Sequence, residues 1–134
     1  MLKKLLLAAF MSMSVSPGFA AQIVPADTVA ENAEAGSVKL IDIRRPSEWK
    51  QSGVGKPAHK ISMHEAGFLE KLSELTAGKK DAAIALICAT GVRSSWLSAE
   101  LEKRGYTNVV NVREGMFGSA DGPGWLQRGL PTKQ

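Results

Sequence analysis

The chain has 134 residues with 17 Lys+Arg, 13 Asp+Glu, two His, one Cys and 44% hydrophobic residues, the make-up of one globular domain. Its formal charge of +4 is spread along the chain rather than gathered in a patch, which argues against a nucleic-acid partner. A single cysteine, Cys88, excludes an internal disulfide framework and a Cys-rich structural zinc site.

Residues 1–20 open with Met1-Leu2-Lys3-Lys4, continue through a short apolar run and reach small residues at Gly18 and Ala20. A basic start, a brief apolar core and a small-residue end are the pattern of a secretory signal peptide. The run is shorter than the roughly 20 apolar residues a transmembrane helix needs. Cleavage after Ala20 is expected, leaving 21–134 as one domain with no membrane attachment. Loss of Lys3 and Lys4 leaves 15 basic against 13 acidic side chains, so the alkaline isoelectric point carries little message. The expected location is the periplasm of a bacterium or the outside of the cell. A lone thiol in such an oxidising compartment calls for an explanation.

Gln22–Val24 reads as a short strand. Pro25–Ala35 reads as a helix, with Pro25 in its first turn and Gly36 at its end. Val38–Ile43 is a largely apolar run between Gly36-Ser37 and Pro46, a buried strand. Ser47–Lys50 is expected to be one helical turn capped by Ser47, and Gly53, Gly55 and Pro57 mark a loop. A short strand over Lys60–Met63 precedes a helix over Glu65–Leu75, where Phe68, Leu69, Leu72 and Leu75 share helical spacing. Ala82–Ile87 is the most apolar stretch after residue 20 and suits a central parallel strand covered on both faces. A helix over Ser94–Arg104, a last strand over Asn108–Val112 and a short helix over Gly124–Arg128 complete the series. Strands alternating with helices imply an α/β domain with a parallel sheet between helical layers, whose ligands gather at the carboxyl ends of the strands.

Cys88 stands at that end of the central strand, followed by Ala89-Thr90-Gly91-Val92-Arg93-Ser94. A loop curling back between a strand end and a helix start turns successive backbone N–H groups inward and makes an anion-binding concavity over the thiol. Gly91 permits a backbone conformation that side chains obstruct. The positive end of the next helix and the Arg93 charge both favour thiolate over thiol. In this arrangement Ala89, Thr90, Gly91 and Val92 act through their backbone donors, and Arg93 binds an anionic substrate. Ser94 is equally suited to capping the helix and to contacting the sulfur.

The segment Cys88–Ser94 resembles the active-site loop of single-domain rhodaneses, thiosulfate sulfurtransferase-like proteins whose pattern is Cys, two residues, Gly, one residue, Arg, then Ser or Thr. Asp42-Ile43-Arg44 with Pro46, Glu48 and Trp49 is similar to that family's Asp-Val-Arg stretch, and Gly53–Ile61 is a looser form of its Gly-His-Ile-Pro-Gly-Ala stretch. Gly105–Val109 resembles the turn into the family's last strand, and Trp125 with Gly129-Leu130-Pro131 resembles its ending. The likeness spans residues 22–131. It departs at Glu114-Gly115, where Gly-Gly is common, at Val54, which replaces the usual His, and in the Gly-rich stretch Gly118–Gly124.

The resemblance implies a rhodanese-like three-layer fold with a mostly parallel sheet of about five strands. It also implies a sulfurtransferase that moves sulfane sulfur through a Cys88 persulfide. Donors of that class are small sulfur anions such as thiosulfate; acceptors are cyanide, a thiol or a sulfur-accepting protein. No metal and no organic cofactor is implied. Asp42 and Arg44 are expected to hold the fold near the strand end rather than to act on substrate. His59 and His64 are expected to have no catalytic part, and Trp49, Trp96 and Trp125 to serve in packing. Two other readings use the same loop: a persulfide carrier or partner-docking module without significant turnover, and a phosphatase or arsenate reductase. The latter enzymes have a loop one residue longer than the four residues between Cys88 and Arg93.

Overall fold

The computed structural model describes residues 21–134, so the signal segment expected over 1–20 lies outside the described residues. Five strands form the central sheet: β1 (Gln22–Ile23), β2 (Lys39–Asp42), β4 (His59–Lys60), β5 (Ile84–Ile87) and β6 (Val109–Val112). Their order is β1-β6-β5-β2-β4, and every pair is parallel. Helices α1 (Ala26–Glu34), α2 (Pro46–Ser52), α3 (Phe68–Leu75) and α4 (Val92–Lys103) connect them.

The alternation of side chains along β5 explains the layers. Ile84 and Leu86 enter one apolar cluster with Phe68 and Leu72 of α3 and Leu97 and Leu101 of α4. Ala85 and Ile87 point the other way, into a cluster with Ala26 and Val29 of α1 and with Trp125. All four β5 residues are buried, as expected for a central strand covered on both faces. The expected α/β architecture, a five-stranded parallel sheet between helical layers, is the architecture observed.

Several elements differ from their expected extents. The helix expected from Glu65 begins at Phe68, because Gly67 holds a left-handed conformation at φ +85° and residues 63–67 form turns. The helix expected from Ser94 begins two residues earlier, at Val92. Ser47 does not cap α2: Arg45 occupies the cap position, and the Glu48 side chain turns back to accept its N–H at 2.9 Å. No helix forms over Gly124–Arg128. The segment makes a single turn, with the Arg128 N–H donating to the Gly124 carbonyl at 3.1 Å, and Gly129 at φ +69° ends it; the Trp125 and Leu126 N–H groups, which a first turn leaves without helical partners, donate to the Gly115 and Met116 carbonyls at 2.9 and 3.1 Å. An antiparallel ribbon joins β3 (Val54–Gly55), expected as loop, to β7 (Thr132–Lys133), which local pattern did not mark. Trp125, fully buried, packs against Gly55 beneath that ribbon and donates its Nε1–H to the Pro131 carbonyl at 3.1 Å.

Candidate active site

β5 carries Cys88 to the carboxyl edge of the sheet, and the loop 88–91 turns directly into α4. Gly91 makes this turn at φ +91°, where a Cβ would lie 2.1 Å from the Arg113 carbonyl oxygen. Cys88 is 1% exposed, and its sulfur faces the first turn of α4. It accepts the Gly91 N–H at 3.2 Å and the Ser94 N–H at 3.4 Å, and its own S–H reaches the Ser94 hydroxyl at 3.5 Å. Two amides at a helix start therefore converge on the sulfur, an arrangement that stabilises negative charge there. Ser94 is buried within this turn and donates its hydroxyl to the Gly91 carbonyl at 3.2 Å, so it serves both the helix start and the sulfur. Ala89, Thr90 and Val92 complete the loop, with Thr90 and Val92 exposed.

A second layer of backbone supports the loop from the segment after β6. The N–H groups of Met116 and Phe117 donate to the Cys88 and Ala89 carbonyls, each at 2.9 Å. Gly115, at φ +72°, lies so close that a Cβ would meet the Ala89 carbonyl oxygen at 2.3 Å. Glu114 fastens the Gly118–Gly124 stretch behind it: this buried carboxylate accepts the Gly124 N–H at 3.1 Å and the Arg128 Nε–H at 2.6 Å. At the outer edge of the stretch Arg113 pairs with Asp121 at 2.5 and 2.7 Å. The departure from Gly-Gly thus supplies the anchor for the chain's unusual Gly-rich stretch.

Arg93 points to the rim and is gripped by Glu48, its Nη2 and Nη1 donating to the two carboxylate oxygens at 2.7 and 2.8 Å. The guanidinium holds the Glu48 carboxyl down at about 2, and the carboxylate raises Arg93 in return; the Cys88 charge adds to the latter effect. His64 Nε2 lies 3.3 Å from Arg93 Nη1. Burial, then the charges of Arg45 and Arg93, keep His64 below its ordinary value, which suits an imidazole accepting from a guanidinium. Neither Glu48 nor His64 was among the expected site residues. Glu48 was visible as a carboxylate three residues after Arg45, but its partner lies 45 positions away.

Asp42 and Arg44 form a fully buried pair below the rim, with Arg44 Nη2 donating to Asp42 Oδ2 at 2.8 Å and Nε donating to Oδ1 at 3.0 Å. The remaining capacity is used: Arg44 also donates to Ser52 Oγ and the Gly53 carbonyl, each at 3.0 Å, and Trp49 Nε1–H donates to Asp42 Oδ1 at 3.0 Å. This network ties β2 to α2, the helix that carries Glu48. Trp49 and Trp125 pack as expected, whereas Trp96 does not: it is 59% exposed on α4, one turn beyond the exposed Val92. His59 lies on β4, away from these contacts.

The family model of the Rhodanese-like domain matches residues 25–120. The chain belongs to the rhodanese-like domain family. Among curated relatives of this rhodanese-like chain, a sulfurtransferase of Allochromatium vinosum is 33% identical over 99 residues, covering 74% of this chain and 81% of that protein. An uncharacterized protein of Rickettsia prowazekii is 32% identical over 102 residues, 69% of this chain and 80% of its own length. The polysulfide-sulfur transferase homodimer of Wolinella succinogenes shares the fold at a TM-score of 0.65 and 22% identity, over 88% of this chain and 82% of that one. A rhodanese-related protein from Thermoplasma volcanium aligns at a TM-score of 0.60 with 25% identity, over 84% and 97% of the two chains.

Proposed function

We propose that this chain is an exported sulfurtransferase in which Cys88 carries sulfane sulfur as a persulfide. The observation that carries this reading is the sulfur facing the Gly91 and Ser94 amides at the start of α4. The similar sulfurtransferase of Allochromatium vinosum supports the reaction class.

In the first half-reaction the Cys88 thiolate attacks the outer sulfur of thiosulfate. A sulfur–sulfur bond forms on Cys88 as the donor's own sulfur–sulfur bond breaks, and sulfite leaves with the bonding electron pair. In the second, cyanide or a thiolate attacks the terminal sulfur of the persulfide, giving thiocyanate or a new persulfide and returning the Cys88 thiolate. Starting from the thiolate no proton abstraction is needed, which fits a site where, among the described residues, no base is hydrogen-bonded to the sulfur. The loop amides stabilise negative charge on the sulfur and on the departing anion. Arg93, held in place by Glu48, adds positive potential at the rim and forms with it the gate that an anionic donor meets. The signal-like residues 1–20 support a periplasmic or secreted location, which N-terminal sequencing of the exported protein tests.

The experiment is intact mass before and after thiosulfate. Wild type is expected to gain one sulfur and lose it to cyanide, and Cys88→Ser to do neither. Persulfide formation or turnover in Cys88→Ser would end the proposal.

A further inference from the structure

The edge of the sheet farthest from β1 carries a positively charged groove that the chemistry at Cys88 does not use. Among the described residues β4 has β2 as its one neighbour in the sheet. Immediately after it, the N–H groups of Ile61 and Met63 donate to the Asp42 and Ile43 carbonyls at 3.2 and 3.0 Å. In a parallel ladder alternate residues bond to the same neighbour, so Lys60, between His59 and Ile61, turns its N–H and C=O outward. Beside this edge lies a groove of about 850 Å³. His59 and Lys60 line it from β4, Lys71 and Glu74 from α3, and Lys133 from β7.

Three elements distant in sequence thus bring three lysines to one groove that contains a single acidic side chain. Lys60 and Lys133 make no salt bridge among the described residues, and Lys71 comes within only 4.0 Å of Glu65. Burial lowers the His59 pKa, and the nearby charges of Lys39 and Lys133 lower it further. A lysine on an exposed edge strand is a common guard against aggregation. That role accounts for Lys60 but not for lysines from α3 and β7 converging on a groove beside the same edge. Their like charge repels a second copy of this edge and attracts an acidic strand.

We propose that the groove binds an extended acidic segment of a partner protein, which adds to the sheet alongside β4. Its backbone pairs with the outward N–H and C=O of Lys60, and its carboxylates meet Lys60, Lys71 and Lys133. The partner is identified by this chemistry alone.

The test is fluorescence anisotropy of the full chain with a labelled octapeptide of alternating Glu and Val, at low salt. Saturable binding is expected, weakened at least tenfold in Lys71→Glu/Lys133→Glu and by methylation of every peptide amide nitrogen. Lys60→Pro should bind at least fivefold more weakly than Lys60→Ala, since proline removes an outward N–H and no ladder bond. Absence of saturable binding would overturn the proposal. So would equal binding of the N-methylated peptide, which would leave charge attraction without strand pairing. Displacement by inorganic phosphate at the peptide's own concentration would mark a small-anion site instead, and self-association of the peptide-free chain by light scattering would mark a homotypic edge.

Discussion

Replacing Gly115 by Ala tests whether the Cys88 loop is shaped by the chain segment behind it. The added Cβ would lie 2.3 Å from the Ala89 carbonyl oxygen, 2.6 Å from its carbon and 2.8 Å from the Thr90 nitrogen, all backbone atoms that cannot rotate away. Relief requires the loop or the 113–117 turn to move by about 1 Å, since ordinary carbon contacts begin near 3.5 Å. The φ of +72° adds about 1–2 kcal/mol for a residue with a side chain, and overpacking adds about 1–3 kcal/mol. The total, about 2–5 kcal/mol, is a large fraction of the about 5–15 kcal/mol that holds a domain folded. A shift of this size also spoils the alignment of the Gly91 and Ser94 amides, now 3.2 and 3.4 Å from the sulfur. A misplacement of about 1 Å costs on the order of a hundredfold in rate. Gly36→Ala is the control, because Gly36 has a similar φ of +79° and nothing within 4 Å of its Cβ position. Thiosulfate:cyanide turnover and thermal unfolding should show Gly36→Ala mildly destabilised and fully active, and Gly115→Ala much less stable and at least a hundredfold slower. Equal Tm and activity in the two variants would refute the steric reasoning.

Asp42→Ala should cost about 3–5 kcal/mol, because it leaves the fully buried Arg44 charge without its carboxylate. The double variant Asp42→Leu/Arg44→Met should recover part of that loss in urea unfolding, although it leaves the Trp49 Nε1–H and the Gly53 carbonyl without these partners; a double variant less stable than Asp42→Ala would refute the uncompensated charge as the source of the loss. The Glu48 carboxyl, held at about 2 by Arg93, takes up its proton at a lower pH in the folded state than in the unfolded chain. Its contribution to stability is complete above the ordinary value of 4.5 and disappears as pH falls from there toward 2. Glu48→Gln should therefore flatten the dependence of stability on pH in that window, read by denaturant midpoints; an unchanged slope would refute the pairing. The Cys88→Ser mass experiment completes the set.

Local pattern made much of the fold legible. Ala85 and Ile87 carry no polar group, like Ile84 and Leu86, the pattern of a short strand buried on both faces, and Gly91 announced a turn that a side chain would block. Errors fell where remote contacts outvote local preference. Val54 and Gly55 become a strand only because residues 132–133 reach them.

The sequence by itself determined the placement of Cys88 at the end of a central strand, the short spacing to Arg93 and the alternation of strands and helices, since each depends on neighbours within a turn or two. Tertiary structure alone decided that Glu48 grips Arg93, that Gly115 supports the loop, that Glu114 anchors the Gly-rich stretch and that Trp96 stays exposed. Ion pairs, backbone approach and burial depend on groups brought together from distant positions, and a linear pattern holds no record of those distances.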